Sequence, residues 1–391
     1  MRSLSRLAVA PALAAALVVA PATPVLAAPA DPGIAAAPVV GGPGLAAKGL
    51  VVDQLPGAPP LPKHLSASGW MVADLGTGEV LAARDPHGRY MPASTLKILT
   101  AVTLLPRLDP ATVVRTSYED AAVDGTKVGM VPGFGYTVRD LFTAMLVMSA
   151  NDAARGLAEA YGGVPRTVRA MNAEARYLHA TDTVARTPHG LDAPGQATSA
   201  YDLALLAKAG LAMPAFRHYV GIVSATFPAP RHRHYQVYTH DRLLVNYRGA
   251  IGVKDGYTVA ARASFVGAAT RHGHTLVVTL LHADPYCWHE AAALLDWGFA
   301  ALGQVRPVGT LVAAGDATVP VVVAAPAPKA GTTGRTVAAA ATRPAGSGPS
   351  GWLTAPMGAA VGAGLIVVLL AQSHLRRRRR YGRSRLKLPP I

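Results

Sequence analysis

The sequence predicts an α/β fold of the α+β kind, in which one antiparallel sheet lies against a helical lobe, with one transmembrane helix near the C-terminus. Strand patterns occur at both ends of the central region, over Trp70–Arg84 and Ala263–Leu281, and helical periodicity fills the interval between them. Strands from the two ends are therefore expected to meet in one sheet. Because both terminal regions are low in complexity, the 391 residues favour one folded domain of about 250 residues.

The folded region begins with a β-hairpin, because a turn over Leu75–Gly78 separates two short apolar runs. Five amphipathic helices follow, and the last begins at a capping sequence, Ser199 with Asp202 three positions later. A second strand pair turns at residues 272–274, and a helix closes the domain. The predicted elements are the strands Trp70–Asp74 and Glu79–Arg84, the helices Thr95–Leu105, Val138–Met148, Asp152–Tyr161, Val164–Leu178 and Tyr201–Ala212, the strands Ala263–Thr270 and Thr275–Leu281, and the helix Pro285–Leu302.

The first 28 residues have the composition of an export signal. Arg2 and Arg6 precede an apolar run over Leu7–Ala20, which is too short to span a bilayer. Small residues suited to cleavage follow at Ala27 and Ala28. We therefore expect a signal peptide over 1–28 and an Ala/Pro/Gly-rich linker over 29–62.

The C-terminal region has the pattern of a membrane anchor. No charged residue lies between Arg343 and Arg376, and residues 353–371 are apolar. At ~1.5 Å per residue, that segment just covers a hydrocarbon core of ~30 Å. Arginines at 376–380 would keep the tail in the cytoplasm. We expect a domain over 63–305, a low-complexity tether over 306–352, a transmembrane helix over 353–371 and a basic cytoplasmic tail over 372–391. The protein would then be a single-pass protein of the cell membrane with its folded domain outside.

The net charge of +15 does not indicate nucleic acid as a partner, because much of it lies in one tail. Arginines 376–380 with Arg383, Arg385 and Lys387 contribute eight positive charges and no acid offsets them there. Cys287 is the single cysteine, so no intramolecular disulfide can form and the domain depends on its core. We expect Cys287 to be a small buried apolar residue rather than a reactive thiol.

The sharpest candidate for chemistry is Ser94 with Lys97 at the start of a predicted helix. Their spacing puts both side chains on one helical face, so the amine can reach the hydroxyl. A serine needs a neighbouring base, and a lysine can be that base if burial or nearby positive charge lowers its pKa. The helix start also offers backbone N–H groups to an oxyanion. Alone, the pair would more often be a capping serine and a solvated lysine.

Two further motifs follow in order. Ser149 and Asn151 lie at the break between two predicted helices, where a short loop can direct a hydroxyl and an amide into a cleft. Lys254-Asp255-Gly256 lies just ahead of the second strand pair, and Gly256 allows close backbone approach at a sheet edge. Three such motifs in order are informative where each alone is weak.

The segments around these motifs resemble low-molecular-weight penicillin-binding proteins of the D-alanyl-D-alanine carboxypeptidase type, peptidase family S11. The resemblance covers about Ser66 to Leu302. It is carried by residues 90–101 (YMPASTLKILTA), 148–154 (MSANDAA), 187–192 (TPHGLD) and 252–258 (GVKDGYT). It implies a penicillin-binding/β-lactamase-like transpeptidase fold. It also implies that the chain cleaves terminal D-alanine from peptidoglycan stem peptides through an acyl-enzyme, without a cofactor, and that β-lactams inhibit it covalently.

The resemblance also implies roles for individual residues. Ser94 would be the acylated nucleophile, Lys97 its base, and Ser149 the proton relay to the leaving group. Asn151 would hold the substrate amide, and Lys254 would bind the substrate and tune the site electrostatically.

The oxyanion hole would consist of the backbone N–H groups of Ser94 and Tyr257. Gly256, next to Tyr257, would allow the strand backbone to approach the substrate closely. Individual donors of this kind contribute about 3 kcal/mol to transition-state stabilisation.

Asp255 departs from the family, which usually has Thr or Ser there to hold the terminal carboxylate. An ionised aspartate would repel that group, so Asp255 must be protonated or paired, with Arg262 one candidate partner, or the substrate preference is altered. This departure leaves open a catalytically weak protein that only binds wall peptides. A β-lactamase has less support, because no separate deacylating glutamate motif can be assigned.

No metal site is expected. His232, His234 and His240 alternate like residues on one face of a strand, but no carboxylate or cysteine motif accompanies them, which favours a solvated basic hairpin. His289 and Glu290 begin like a zinc-protease helix, but the second histidine position is an alanine.

Overall fold

The computed structural model of the protein describes residues 39–316. The strands are β1 Leu50–Gln54, β2 Gly69–Asp74, β3 Glu79–Arg84, β4 Val113–Arg115, β5 Gly135–Thr137, β6 Ser224–Ala229, β7 Arg233–Tyr238, β8 Ala250–Thr258, β9 Arg262–Arg271, β10 His274–Ala283, β11 Val305–Arg306 and β12 Gly309–Thr310. The helices are α1 Lys97–Leu104, α2 Tyr118–Ala122, α3 Val138–Val147, α4 Asn151–Ala160, α5 Val164–Tyr177, α6 Ala200–Ala212, α7 Pro214–Val220, α8 Arg242–Asn246 and α9 Trp288–Ala301, with 3-10 turns at Pro43–Ala46 and Ala93–Leu96.

The main sheet is antiparallel throughout and has the order β11-β1-β3-β2-β10-β9-β8, with β12 also paired to β3. Strands from the start and the end of the domain are neighbours in it, because β2 pairs with β10 over Gly69–Asp74. The helices α1 to α8 lie between these strands in the chain. The predicted antiparallel sheet with a helical lobe is therefore confirmed.

The sheet is covered on both faces. On one face α9 packs against β2, β9 and β10, and Trp70, Leu294 and Trp297 lie in the core between them. On the other face α6 covers β2, β9 and β10, α1 packs against α6, and the core continues into α3 and α4. The nearly continuous burial of β2, β9 and β10 follows from this two-sided cover.

The predicted helices and strands agree with the structure to within three residues at either end. The largest internal difference is at the first predicted helix, whose start is a 3-10 turn over Ala93–Leu96 ahead of α1. The short elements β4, β5, α2, α7 and α8 were not predicted, because three to seven residues carry too little periodicity.

The predicted linker over 29–62 is wrong for its described part. Leu45 is buried in the first 3-10 turn, and β1 extends the sheet by pairing with β3. The tether expected from 306 is also wrong at its start, since β11 and β12 extend the domain beyond 305. Ala, Pro and Gly make up 13 of the 24 residues over 39–62, so the composition concealed the short apolar run over 50–52 that forms most of β1.

Lys254-Asp255-Gly256 does not precede the strands as expected but lies inside β8, opposite Val266, Phe265 and Ser264 of β9. The predicted basic hairpin is confirmed for His232 and His234, which are exposed at the turn and in the second strand of β6–β7, but it is wrong for His240, which lies beyond β7. The interpretation of Cys287 is also confirmed: it is buried, and burial with the nearby Glu290 raises its pKa to about 12.

Within residues 39–316, no helix combines the length and apolarity needed to cross a membrane. The predicted signal peptide over 1–28, the transmembrane helix over 353–371, the tail over 372–391 and most of the tether lie outside the described residues.

Candidate active site

Ser94 lies in a tight turn that its neighbours hold in place. Ala93, just before it, has a left-handed backbone with φ 47°. The carbonyl of Pro92 accepts hydrogen bonds from Thr95 Oγ1 at 2.6 Å and from Ser264 Oγ of β9 at 2.7 Å. The sheet therefore fixes the turn, and Ser94 itself remains partly exposed.

Lys97 is fully buried beside this turn and makes three contacts. Its Nζ lies 2.8 Å from Ser94 Oγ, 2.7 Å from Asn151 Oδ1 and 2.7 Å from the carbonyl oxygen of His189. The His189 carbonyl oxygen can only accept a hydrogen bond. The atom of Asn151 that faces Lys97 is also an acceptor, because the amide nitrogen Nδ2 donates to the Asp124 carbonyl on the other side. A neutral Lys97 amine would donate its two N–H groups to them, which leaves its lone pair for the Ser94 hydroxyl.

The electrostatic surroundings favour that neutral form. Burial, followed by the positive charge of Lys254, holds the pKa of Lys97 well below its ordinary value, and the carboxylates of Asp255 and Asp152 partly oppose this. The contact and the lowered pKa together give Ser94 a base that can remove its proton.

Gly256 allows β8 to approach the nucleophile closely. A Cβ at this position would lie 2.7 Å from the backbone N of Ser94 and 3.0 Å from that of Thr95. Strand and turn can touch only because residue 256 lacks a side chain. The peptide groups on either side of Gly256 therefore lie next to the Ser94 N–H. One of them contains the backbone N–H of Tyr257, whose side chain is exposed.

Asp255 is paired with Lys254 and not with Arg262. Lys254 Nζ, on a side chain with 1% exposure, donates to Asp255 Oδ1 at 2.7 Å and to the Asp255 carbonyl at 2.8 Å. Arg262 instead pairs with Asp284 at the surface. Partial burial opposes ionisation of Asp255, but the charge and hydrogen bond of Lys254 outweigh it and lower its pKa. The aspartate is therefore ionised and neutralised by its neighbour.

The loop between α3 and α4 carries the second motif. Ser149 is buried in it with φ 66°, a left-handed conformation, and its hydroxyl makes no hydrogen bond within residues 39–316. Asn151 begins α4, and its side chain bridges Lys97 and the Asp124 carbonyl. The structure thus brings Asn151 to the nucleophile's base and leaves the Ser149 hydroxyl available.

Three residues support the site without having been assigned a role from the sequence. Asp152 accepts hydrogen bonds from the N–H groups of Val128, Gly129 and Met130 at 2.9–3.0 Å, which ties that loop to α4. The signal for it would have been an aspartate in the first turn of a helix.

His189 and Gly190 lie in the segment 187–192. The His189 carbonyl fixes Lys97, and burial, with Lys97 and Arg155 nearby, lowers the pKa of its ring to about 3. Gly190 has φ +86°, and a Cβ there would lie 1.9 Å from the Ala93 carbonyl oxygen, so only glycine fits against the Ser94 turn.

A cavity of about 230 Å³ lies beside Asp255 at this edge of the sheet. Its lining includes His240, Arg242, Tyr257 and Cys287. One cationic side chain, Arg242, and several apolar side chains therefore lie in the lining beside Asp255.

Known proteins are similar to this domain in both sequence and fold. The family described as D-alanyl-D-alanine carboxypeptidase, peptidase S11, matches residues 56–285. D-alanyl-D-alanine carboxypeptidase DacB2 of Mycobacterium tuberculosis is 44% identical over 262 residues, which cover 65% of this chain and 89% of that protein. DacD of Escherichia coli is 31% identical over 265 residues, which cover 64% and 67%.

Solved structures of related proteins have the same fold. A crystal structure of D-alanyl-D-alanine carboxypeptidase from M. tuberculosis H37Rv superposes with a TM-score of 0.63 at 43% identity, covering 66% of this chain and 99% of that one. The Streptomyces K15 DD-transpeptidase gives a TM-score of 0.59 at 27% identity, covering 62% and 100%. The chain belongs to the D-alanyl-D-alanine carboxypeptidase family, peptidase S11.

Proposed function

We propose that this protein is a serine-type D-alanyl-D-alanine carboxypeptidase that trims peptidoglycan stem peptides and is acylated by β-lactams. The observation that carries the proposal is the 2.8 Å contact between Ser94 Oγ and a buried Lys97 amine whose other partners can only accept hydrogen bonds. Membership of the family and its similarity to proteins named for this activity support it.

The geometry suits acyl transfer in two steps. Lys97 removes the proton of Ser94, and Oγ attacks the carbonyl carbon of the penultimate D-alanine. Negative charge on the carbonyl oxygen is stabilised by the backbone N–H groups of Ser94 and Tyr257. Ser149 passes a proton to the leaving nitrogen, and D-alanine departs. Water then attacks the ester, Ser94 regains its proton, and the shortened peptide is released.

The test is release of D-alanine. The full-length chain in detergent is incubated with a synthetic peptide ending in D-alanyl-D-alanine, and free D-alanine is measured over time beside labelling by a fluorescent penicillin. Labelling with repeated turnover supports the proposal. Labelling without D-alanine release would indicate a protein that only binds and acylates, and rapid loss of label with penicillin hydrolysis would indicate a β-lactamase.

Replacing Asp255 by threonine is expected to raise kcat/KM on terminal D-alanyl-D-alanine about threefold to tenfold. The substitution frees Lys254 Nζ, now 2.7 Å from Asp255 Oδ1, for the substrate carboxylate. The gain is modest because Lys254 already neutralises much of the repulsion between two carboxylates. A peptide amidated at its C-terminus should respond less.

The same substitution should shift the pH profile. The Asp255 carboxylate raises the pKa of Lys97, so its removal lowers that pKa and moves the acidic limb of the acylation rate to lower pH. Asp284→Asn is the matched control, because it removes a nearby carboxylate that pairs with Arg262 and not with Lys254. If the rates on the free-acid peptide and on the amidated peptide were both unchanged, Asp255 would lie away from the terminal carboxylate of the substrate.

We further propose that the protein is exported by its N-terminal segment and held in the cell membrane by residues 353–371, with the domain outside. The apolar composition of that segment and the arginines at 376–380 support this topology.

Truncation before Trp352 is expected to release active protein into the culture medium, because the apolar segment is lost. Replacing arginines 376–380 by glutamine is the matched control and should leave the protein in the membrane fraction. Fractionation by sedimentation and penicillin labelling of each fraction measure the outcome. A truncated protein that still sediments with membranes would show the anchor to be elsewhere.

A further inference from the structure

The cavity of about 230 Å³ beside Asp255 begins at the groups that carry out the proposed reaction. Gly256 and Tyr257 of β8 line it, and a Cβ at Gly256 would lie 2.7 Å from the backbone N of Ser94. Ser264 of β9 also lines it, and its hydroxyl donates to the turn that carries Ser94. The cavity therefore lies directly beside the proposed oxyanion donors.

The floor of the cavity consists of buried apolar side chains. Ala263 and Phe265 of β9 and Cys287 ahead of α9 line it, and each is at most 5% exposed. Because these side chains belong to the core between the sheet and α9, a peptide that enters the cavity has to end there. The leaving residue of the proposed reaction is such a chain end, whereas the acyl part continues into the stem peptide.

The cavity is larger than D-alanine requires. A volume of about 10–15 Å³ is enough for one water molecule, whereas this cavity has about 230 Å³. Its lining is mainly apolar and includes the rings of Phe265, Tyr257, Tyr286 and Trp288. A methyl group would leave most of this apolar surface in contact with water, and a larger apolar side chain would cover it.

The charges around the cavity leave one cation without a partner. Lys254 balances the Asp255 carboxylate, and partial burial, with Lys254 nearby, lowers the pKa of His240, so that ring is neutral. Arg242 lines the cavity, and its guanidinium makes no hydrogen bond or ion pair within residues 39–316. The neighbouring Asp241 carboxylate caps α8 and does not pair with it. The cavity therefore favours an anionic group next to an apolar one.

We propose that this cavity binds the leaving residue of the substrate and selects peptides whose C-terminal D-residue has an apolar side chain larger than methyl, with Arg242 holding the terminal carboxylate. This inference rests on the proposed function, because it names the substrate class of the same site. Arg242 takes the carboxylate because the Lys254 amine is already paired with Asp255 at 2.7 Å, and a guanidinium can bind a carboxylate through two N–H groups. The chemistry is unchanged: the ester to Ser94 forms, the peptide C–N bond breaks, and the D-residue leaves with a protonated nitrogen.

The first test compares peptides that differ only in their last residue. The full-length chain in detergent is incubated with a stem peptide ending in D-alanyl-D-alanine or in D-alanyl-D-leucine, and the released D-amino acid is measured. kcat/KM is expected to be about threefold to thirtyfold higher for the D-leucine peptide, mainly through a lower KM, because its additional carbon atoms are buried. A value no higher than that for D-alanine would overturn the proposal.

Arg242→Gln is expected to raise KM about tenfold on both free-acid peptides, because a charged hydrogen-bond donor to the carboxylate is lost. A D-leucine peptide amidated at its C-terminus should change less than twofold, and Arg242→Lys should recover part of the loss. Arg248→Gln is the matched control, because Arg248 is an exposed arginine of the same segment that does not line the cavity. An equal effect of Arg242→Gln on the acid and the amide would overturn the assignment of Arg242.

The size of the cavity is tested at its floor. Cys287→Met adds volume there and is expected to abolish the preference for D-leucine, whereas Cys287→Ala should keep or increase it. Penicillin labelling reports whether each Cys287 variant has folded, and the peptide comparison on the wild type decides the proposal if one does not. A preference that is the same in the wild type and both folded variants would overturn it.

The outcomes also separate this inference from the proposed function. Release of D-alanine without a preference for D-leucine would overturn the inference and leave the proposed function standing. Penicillin labelling without release from any peptide would overturn both.

Discussion

Ser94→Ala is expected to lower covalent penicillin labelling about 10⁴-fold or more, to the background level, because the substitution removes the hydroxyl oxygen that forms the ester in the proposed reaction. The backbone should tolerate it, since the turn is fixed by the Pro92 carbonyl through Thr95 and Ser264 and not by the Ser94 hydroxyl. Labelling with fluorescent penicillin, read by gel and by intact mass, measures the effect.

The control for this variant is Ser117→Ala. Ser117 caps α2 and has no contact with the cleft, so its loss should cost about 1 kcal/mol of stability and leave labelling unchanged. Equal melting temperatures of Ser94→Ala and the wild type would show that the fold is intact. A labelled Ser94→Ala protein would mean that another residue is the nucleophile.

Lys97→Ala is expected to slow acylation about 10²- to 10⁴-fold, the usual effect of removing a general base. The reason is the 2.8 Å contact to Ser94 Oγ, which no other amine among the described residues makes. Stopped-flow or timed labelling with penicillin gives the rate constant. A loss smaller than about tenfold would show that Lys97 is not the base.

The pH dependence separates a base from a packing residue. In the wild type, acylation should rise with pH through the lowered pKa of Lys97, because only the neutral amine accepts a proton. Lys97→Ala should lose that limb, and so should Lys97→Met, which fills more of the buried space. Lys208→Ala is the control: Lys208 also has a pKa lowered by burial, but its amine contacts Leu311 and the cleft chemistry should not change.

The spacing of Ser94 and Lys97 predicted their contact, because both lie within one turn, whereas their roles were inferred from the further motifs and the family resemblance. The sequence also predicted which elements meet, since helical periodicity persists over eight or more residues in the main helices and short strand runs occur at both ends of the domain. The approach of Gly256 to Ser94 was partly predictable, as glycine in a strand indicates close contact.

The remainder depends on contacts between distant segments. The loop that Asp152 holds and the His189 carbonyl that fixes Lys97 are brought to the site only by tertiary packing. Similarly, β1 is a five-residue run whose partner lies some thirty residues away. The pairing of Asp255 with its own neighbour was unexpected, because adjacent residues of a strand usually face opposite sides. The flexible Lys254 side chain reaches back to it instead.

The way the described chain closes on itself has a practical consequence. Thr310 N–H donates to the Gly41 carbonyl at 2.9 Å, so the first and last segments of the domain are hydrogen-bonded neighbours, on the side of the sheet farthest from β8. Chain order could therefore be circularly permuted: a short peptide would join these two points, and new ends would open at the exposed β9–β10 turn around Gly273. The edge of the sheet formed by β8, next to Ser94, would keep every neighbour that it has now. Cargo joined directly to Thr310 of β12 would stand about five strand spacings, or roughly 24 Å, from β8.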